Sequence, residues 1–150
     1  MIVEVYTDGS CFEKHSIGGW GVYIIFNKKE IKFSGFAECS SSTSMELIAA
    51  LKALEYLHQY SDEIEEIEFY IDCDYTAKLM KELKSKDKIS FRSKTSFRNR
   101  KTLMLLAHYA AMFKINWHTV KSHRGIKGNE IADSLAKKAA KLGIERKRGG

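Results

Sequence analysis

The chain predicts an α/β fold, a mixed β-sheet with helices packed on its faces. Three observations carry this. Short β-branched and aromatic runs fill the first third, separated by turn residues. The period then switches to helical spacing between residues 43 and 60 and returns to strict alternation after it. Strand–helix–strand order demands a crossover, hence at least one parallel pairing beside the antiparallel opening.

The elements follow in order. Ile2–Thr7 is a strand that the Asp8-Gly9 turn signal ends, and Gly18-Gly19 opens a second, Trp20–Phe26, closed by Asn27-Lys28-Lys29. Ile31–Phe36 completes an antiparallel meander of three strands. Leu47, Ala50, Leu51, Leu54 and Leu57 form the apolar stripe of a helix over 43–60. Residues 64–71 alternate Ile67, Phe69 and Ile71 against Glu66, Glu68 and Tyr70, a fourth strand. Helical signal resumes over 76–83, fades in a basic stretch, and returns over 101–113 with Leu103, Leu106 and Ala110 on one face. Residues 116–121 form a fifth strand, and 129–142 a last helix that Gly143 ends. The expected order is βββαβααβα, one domain over 1–143 followed by a frayed basic tail, 144–150.

Composition narrows the function classes. At 150 residues, with 44% hydrophobic and 29% charged content, the chain reads as an ordinary soluble domain. No apolar run approaches the ~20 residues that span a bilayer, and the N-terminus lacks the pattern of a signal peptide, so a cytoplasmic protein is expected. Cys11, Cys39 and Cys73 fit no zinc spacing and no disulfide framework, and reduced thiols are expected of them. The formal charge of +6 favours a polyanionic partner. It is unevenly placed: residues 81–101 hold nine Lys or Arg against two acids, whereas 61–74 is strongly acidic.

Four acids sit in short distinctive settings: Asp8 in Tyr6-Thr7-Asp8-Gly9-Ser10, Glu46 in Ser44-Met45-Glu46-Leu47, Asp72 in Tyr70-Ile71-Asp72-Cys73-Asp74-Tyr75, and Asp133 in Gly128-Asn129-Glu130-Ile131-Ala132-Asp133. Each has an ordinary reading: Asp8-Gly9 as a turn, Thr43 to Glu46 as a capping box, Asp72 or Asp74 as a helix cap, Asp133 as an i,i+4 partner of Lys137. Together they have another. Two lie at strand ends and two in first helical turns, and clustered carboxylates suit hard divalent cations.

These motifs in this order, with Val120-Lys121-Ser122-His123 ahead of the last, resemble type 1 ribonuclease H over about residues 2–141. Gly18-Gly19-Trp20-Gly21, Ala49-Ala50 and Ala53-Leu54 extend the likeness. The resemblance implies a five-stranded mixed sheet with the first strand central, three strands antiparallel and two parallel. It implies an endoribonuclease that hydrolyses the RNA strand of RNA–DNA hybrids with two Mg²⁺ ions, Mn²⁺ substituting, to leave 5′-phosphate and 3′-hydroxyl ends. Asp8, Glu46, Asp72 and Asp133 would be the metal ligands, Asp8 bridging, with Asp74 only a neighbour. His123 would assist proton transfer or product release. A monomer is expected.

The resemblance also assigns the substrate contacts: Gly9, Ser10 and Cys11 after the first acid, and Ser42 and Thr43 before Glu46. Hydroxyls stand where relatives often carry asparagines, and Glu13-Lys14-His15-Ser16-Ile17 replaces a glycine- and proline-rich loop. Arg92, Lys94, Arg98 and Arg100, interleaved with Phe91 and Phe97, would grip the DNA backbone where some relatives use a tryptophan-bearing protrusion. The rival readings are a reverse-transcriptase ribonuclease H domain, another nuclease or strand transferase of the superfamily, and a catalytically silent hybrid-binding module.

Overall fold

The computed structural model of the protein describes residues 1–39, 41–72, 74–85, 98–120 and 126–149. One five-stranded sheet organises them: β1 (Ile2–Phe12), β2 (Ile17–Phe26), β3 (Lys29–Glu38), β4 (Glu66–Ile71) and β5 (Ile115–Thr119). The strand order is β3-β2-β1-β4-β5, so the first strand is central, as the resemblance implied. β1–β2 and β2–β3 pair antiparallel, and β1–β4 and β4–β5 pair parallel. Asn27 and Lys28, both at positive φ (53° and 65°), make the two-residue turn joining β2 to β3. That geometry matches the twist of the paired strands.

Four α-helices are described: α1 (Ser42–His58), α2 (Asp74–Ser85), α3 (Arg100–Ala110) and α4 (Lys127–Gly149). Side chains alternate across a strand, and β1 uses both faces. Val3 and Val5 point into a core with Leu47, Leu54, Phe69 and Leu103, which α1 and α3 cover. On the other face α4 lies across β1, β2 and β3. It approaches closely because Gly19 and Gly21 meet Ala132 and Ala136; a methyl at Gly19 would come within 2.6 Å of the Ala140 nitrogen.

Several local expectations are corrected. Asp8-Gly9 is not a turn: β1 continues to Phe12, and Gly9 is required because α1 packs on it, with a methyl there reaching 2.8 Å from the Met45 Cβ. Ser41, not Thr43, caps α1, its Oγ accepting from the Ser44 N–H at 3.2 Å, so Glu46 is spared the capping role. Gly143 does not end α4, which runs on to Gly149; Gly143 is buried against Phe36 and Ile17, where any side chain would clash. Residues 144–149 are therefore helical rather than frayed. Cys11 and Cys39 are joined in a disulfide, with Cα atoms 6.2 Å apart, instead of standing as free thiols. Cys73 lies outside the described residues.

Candidate active site

The sheet register sets the site. The β1–β4 ladder ends at Thr7 opposite Ile71, so Asp8 and Asp72 are the next residues on two neighbouring parallel strands. β5 is still attached there, the Val120 N–H donating to the Ile71 carbonyl at 2.8 Å. α1 brings Glu46 in by packing its first turns against Gly9. Carboxylate oxygens of Asp8, Glu46 and Asp72 lie within 4.8 Å of one another. Asp133, in the second turn of α4, hydrogen-bonds the Asp8 carboxyl and completes the group. Asp74 is exposed at the start of α2 and stands outside it.

Crowding these acids has an electrostatic consequence. Asp8 is nearly buried. Burial first, then the charges of Asp72, Asp133 and Glu46, push its carboxyl up to about 9. Asp72 is raised as well, chiefly by burial, with Asp133 adding to the rise and a hydrogen bond from Glu46 opposing it. Like charges so close favour shared protons or a bound cation. The donors are all hard oxygens, which fits Mg²⁺ or Mn²⁺ and not a soft metal. Lys137 sits 3.1 Å from Asp133 Oδ2, on its exposed side. The ordinary i,i+4 reading of Asp133 thus holds alongside its place in the cluster.

One supporting residue escaped sequence reasoning. Thr76 is fully buried in the first turn of α2, and its hydroxyl donates to Glu46 Oε2 at 3.2 Å. Its only signal is a position four residues after Asp72 in a helix that starts beside the site. The predicted substrate contacts divide. Gly9 and Ser10 follow Asp8 along β1, whereas Cys11 is committed to the disulfide. Ser42 and Thr43 form the first turn of α1, two to four positions before Met45 and Glu46. Arg98 and Arg100 are exposed on either side of Asn99 at the N-terminal end of α3. Arg92, Lys94 and His123 lie outside the described residues.

A central strand and its parallel neighbour delivering acids to one point, with two helices supplying the rest, define an α/β protein with a polyacidic centre of a kind that could hold a cation. The RNase H family profile matches residues 1–141. A ribonuclease H of Legionella pneumophila (strain Lens) is 36% identical over 148 residues, covering 97% of this chain and 98% of its own length. Among solved structures, RNase H1 from the halophilic archaeon Halobacterium salinarum has the same fold, with a TM-score of 0.73 at 17% identity, over 95% of this chain and 99% of that one. LC11-RNase H1, solved in complex with an RNA/DNA hybrid, is similar to the same degree: TM-score 0.73, 19% identity, 95% and 99% covered. The chain belongs to the ribonuclease H family, and it is a nuclease.

Proposed function

We propose that this nuclease hydrolyses the RNA strand of RNA–DNA hybrids endonucleolytically, using two divalent cations and leaving 5′-phosphate and 3′-hydroxyl ends. The observation that carries the reading is the convergence of Asp8, Glu46 and Asp72 within 4.8 Å, with Asp133 hydrogen-bonded to Asp8. Asp8, Glu46, Asp72 and Asp133 would hold Mg²⁺, with Mn²⁺ able to replace it. When bound, the cations activate a water and offset charge on the departing 3′ oxygen.

The protein's own groups prepare that chemistry. Burial and its acidic neighbours disfavour the Asp8 charge, so a bound cation would offset that penalty and Asp8 would release its proton to solvent as the cation bound. Thr76 fixes the direction of Glu46 and Lys137 that of Asp133, so ordering the carboxylates costs little on binding. The α1 N-terminal hydroxyls of Ser42 and Thr43, with Ser10, are donors for backbone phosphate and ribose 2′-oxygens. His123 would serve proton transfer or product release by resemblance. Relatives named Ribonuclease H, and a similar fold solved with a hybrid, support the substrate class.

A cytoplasmic monomer is part of the same reading. In that compartment the glutathione and thioredoxin systems would set how much of the Cys11–Cys39 bond persists.

The test is cleavage of a labelled RNA–DNA hybrid with and without Mg²⁺, beside matched RNA and DNA duplexes. Metal-dependent cutting confined to the hybrid's RNA strand is expected. Hybrid binding without cleavage in either Mg²⁺ or Mn²⁺ would reject an active enzyme.

A further inference from the structure

The far end of α4 carries a second feature that the acidic centre does not use. A cavity of about 300 Å³ opens between the short 3₁₀ turn after β1 (Glu13–His15) and the last turns of α4, lined by Lys14, His15, Ser16, Ile144, Lys147 and Arg148. Lys147 Nζ donates to the His15 carbonyl at 2.9 Å, tying helix to turn. The turn is itself pinned: Ser16, at φ 55°, donates its N–H to the Glu13 carbonyl, and its own carbonyl accepts from the Cys39 N–H at 3.0 Å. The Cys11–Cys39 disulfide closes the same corner. Three cations from two elements therefore share a preorganised, solvent-facing pocket.

Cations in a last helical turn have an ordinary use, since they offset the negative end of the helix dipole. That accounts for Arg146, Lys147 and Arg148, but not for Lys14, which comes from another element. Three acids are near. Glu13 is exposed on the turn, Glu38 is exposed at the end of β3 opposite Ile17, and Glu145 lies about 200° round the helix from Lys147, on its opposite side. None of them lines the cavity.

Position links the pocket to the centre. β1 and α4 both run from the acidic cluster towards it: Asp8 to Phe12 on the strand, Asp133 to Lys147 on the helix. Fourteen helical residues rise about 21 Å. We infer that this pocket is a second phosphate contact for the hybrid, holding its backbone about 21 Å from the bond being cut. The inference rests on the proposed hybrid substrate and adds the length of duplex that the protein senses.

The test compares the native chain with Lys14→Gln/Lys147→Gln/Arg148→Gln on a hybrid of about 18 base pairs and on one of about 6, across a salt series. On the long hybrid KM is expected to rise roughly tenfold with kcat within about twofold. The salt slope is expected to fall by about 0.9, the value for one phosphate no longer neutralised. On the short hybrid the two proteins are expected to match. A control triple on the β2–β3 hairpin, Lys28→Gln/Lys29→Gln/Lys32→Gln, removes equal charge and should leave the length dependence intact. Should the first triple melt early, Lys14→Gln/Arg148→Gln spares the Lys147 hydrogen bond and is expected to show a smaller shift of the same kind. An unchanged KM and slope on the long hybrid, or an equal rise in the control or on the short hybrid, overturns the pocket while leaving the enzyme reading intact. Failure of the native chain to cut any hybrid overturns both.

Discussion

Gly9 stands where a helix must touch a strand, and Asp8 beside it stands where acids must crowd. The two demands are separable by mutation. Gly9→Ala forces a methyl against the Met45 and Glu46 backbone, so α1 must retreat and carry Glu46 away from Asp8. Overpacking of this kind costs about 1–3 kcal/mol, and a urea melt should show that loss together with weakened cleavage. Asp8→Asn does the reverse. It abolishes the proton uptake that folding demands of Asp8, whose charge burial and three neighbouring acids oppose, so the metal-free protein should melt higher than native at neutral pH. Its cleavage of hybrid should nevertheless fall on the order of a thousandfold, the equivalent of several kcal/mol of cation-dependent stabilisation. A variant that retained most of its activity would remove Asp8 from the centre. Sequence made Asp8 conspicuous but misjudged Gly9, because Asp-Gly signals a turn locally. The requirement for glycine comes instead from a helix about 35 residues further along the chain.

At the scale of elements, the Cys11–Cys39 bond ties the end of β1 to the segment leading into α1, across 28 residues of chain. Loop-closure entropy puts its contribution at roughly 3–4 kcal/mol. Cys11→Ser/Cys39→Ser, or the native protein under a thiol reductant, should lose about that much in denaturant unfolding; equal midpoints would show that the bond contributes no stability. Nothing in the sequence pointed to this pairing, because two cysteines have no framework spacing to read and only the β1–β2–β3 register brings them to one corner. The end of α4 was misread for a similar reason. Gly143 is a helix-ending signal in sequence, yet here it is the only residue that fits against Phe36. The basic stretch leads to its own test. Neutralising Arg92, Lys94, Arg98 and Arg100 together is expected to raise KM and flatten its salt dependence, and kinetics unchanged across a salt series would dismiss a DNA-gripping role.

For the molecule as a whole, periodicity reached the order of strands and helices, since each element's alternation is written in its own residues. Convergence was not written there. Asp8, Glu46, Asp72 and Asp133 meet because β4 pairs parallel to β1 and because small residues let α4 lie on β2. Strand–helix–strand order implied a parallel pairing, the resemblance alone made the first strand central, and the close approach of α4 to β2 is legible in neither segment by itself. That convergence couples the stability of the whole fold to pH and, under the proposed function, would couple it to metal. Asp8 has its carboxyl raised from 3.8 to about 9 in the folded protein, so the native state keeps a proton that the unfolded chain has released. The stabilisation is complete below pH 4 and is lost as pH climbs through about 9. Metal-free protein should therefore melt at progressively lower temperature from pH 5 to pH 9. Saturating Mg²⁺ binds only the folded cluster and replaces the lost proton, so its stabilising increment should grow over the same pH range. Calorimetry at matched ionic strength, with Mg²⁺ or with a chelator, checks both trends. Asp8→Asn should flatten the chelator curve. A native melting temperature that ignores both pH and Mg²⁺ would mean that the four carboxylates do not act as one cation-binding centre.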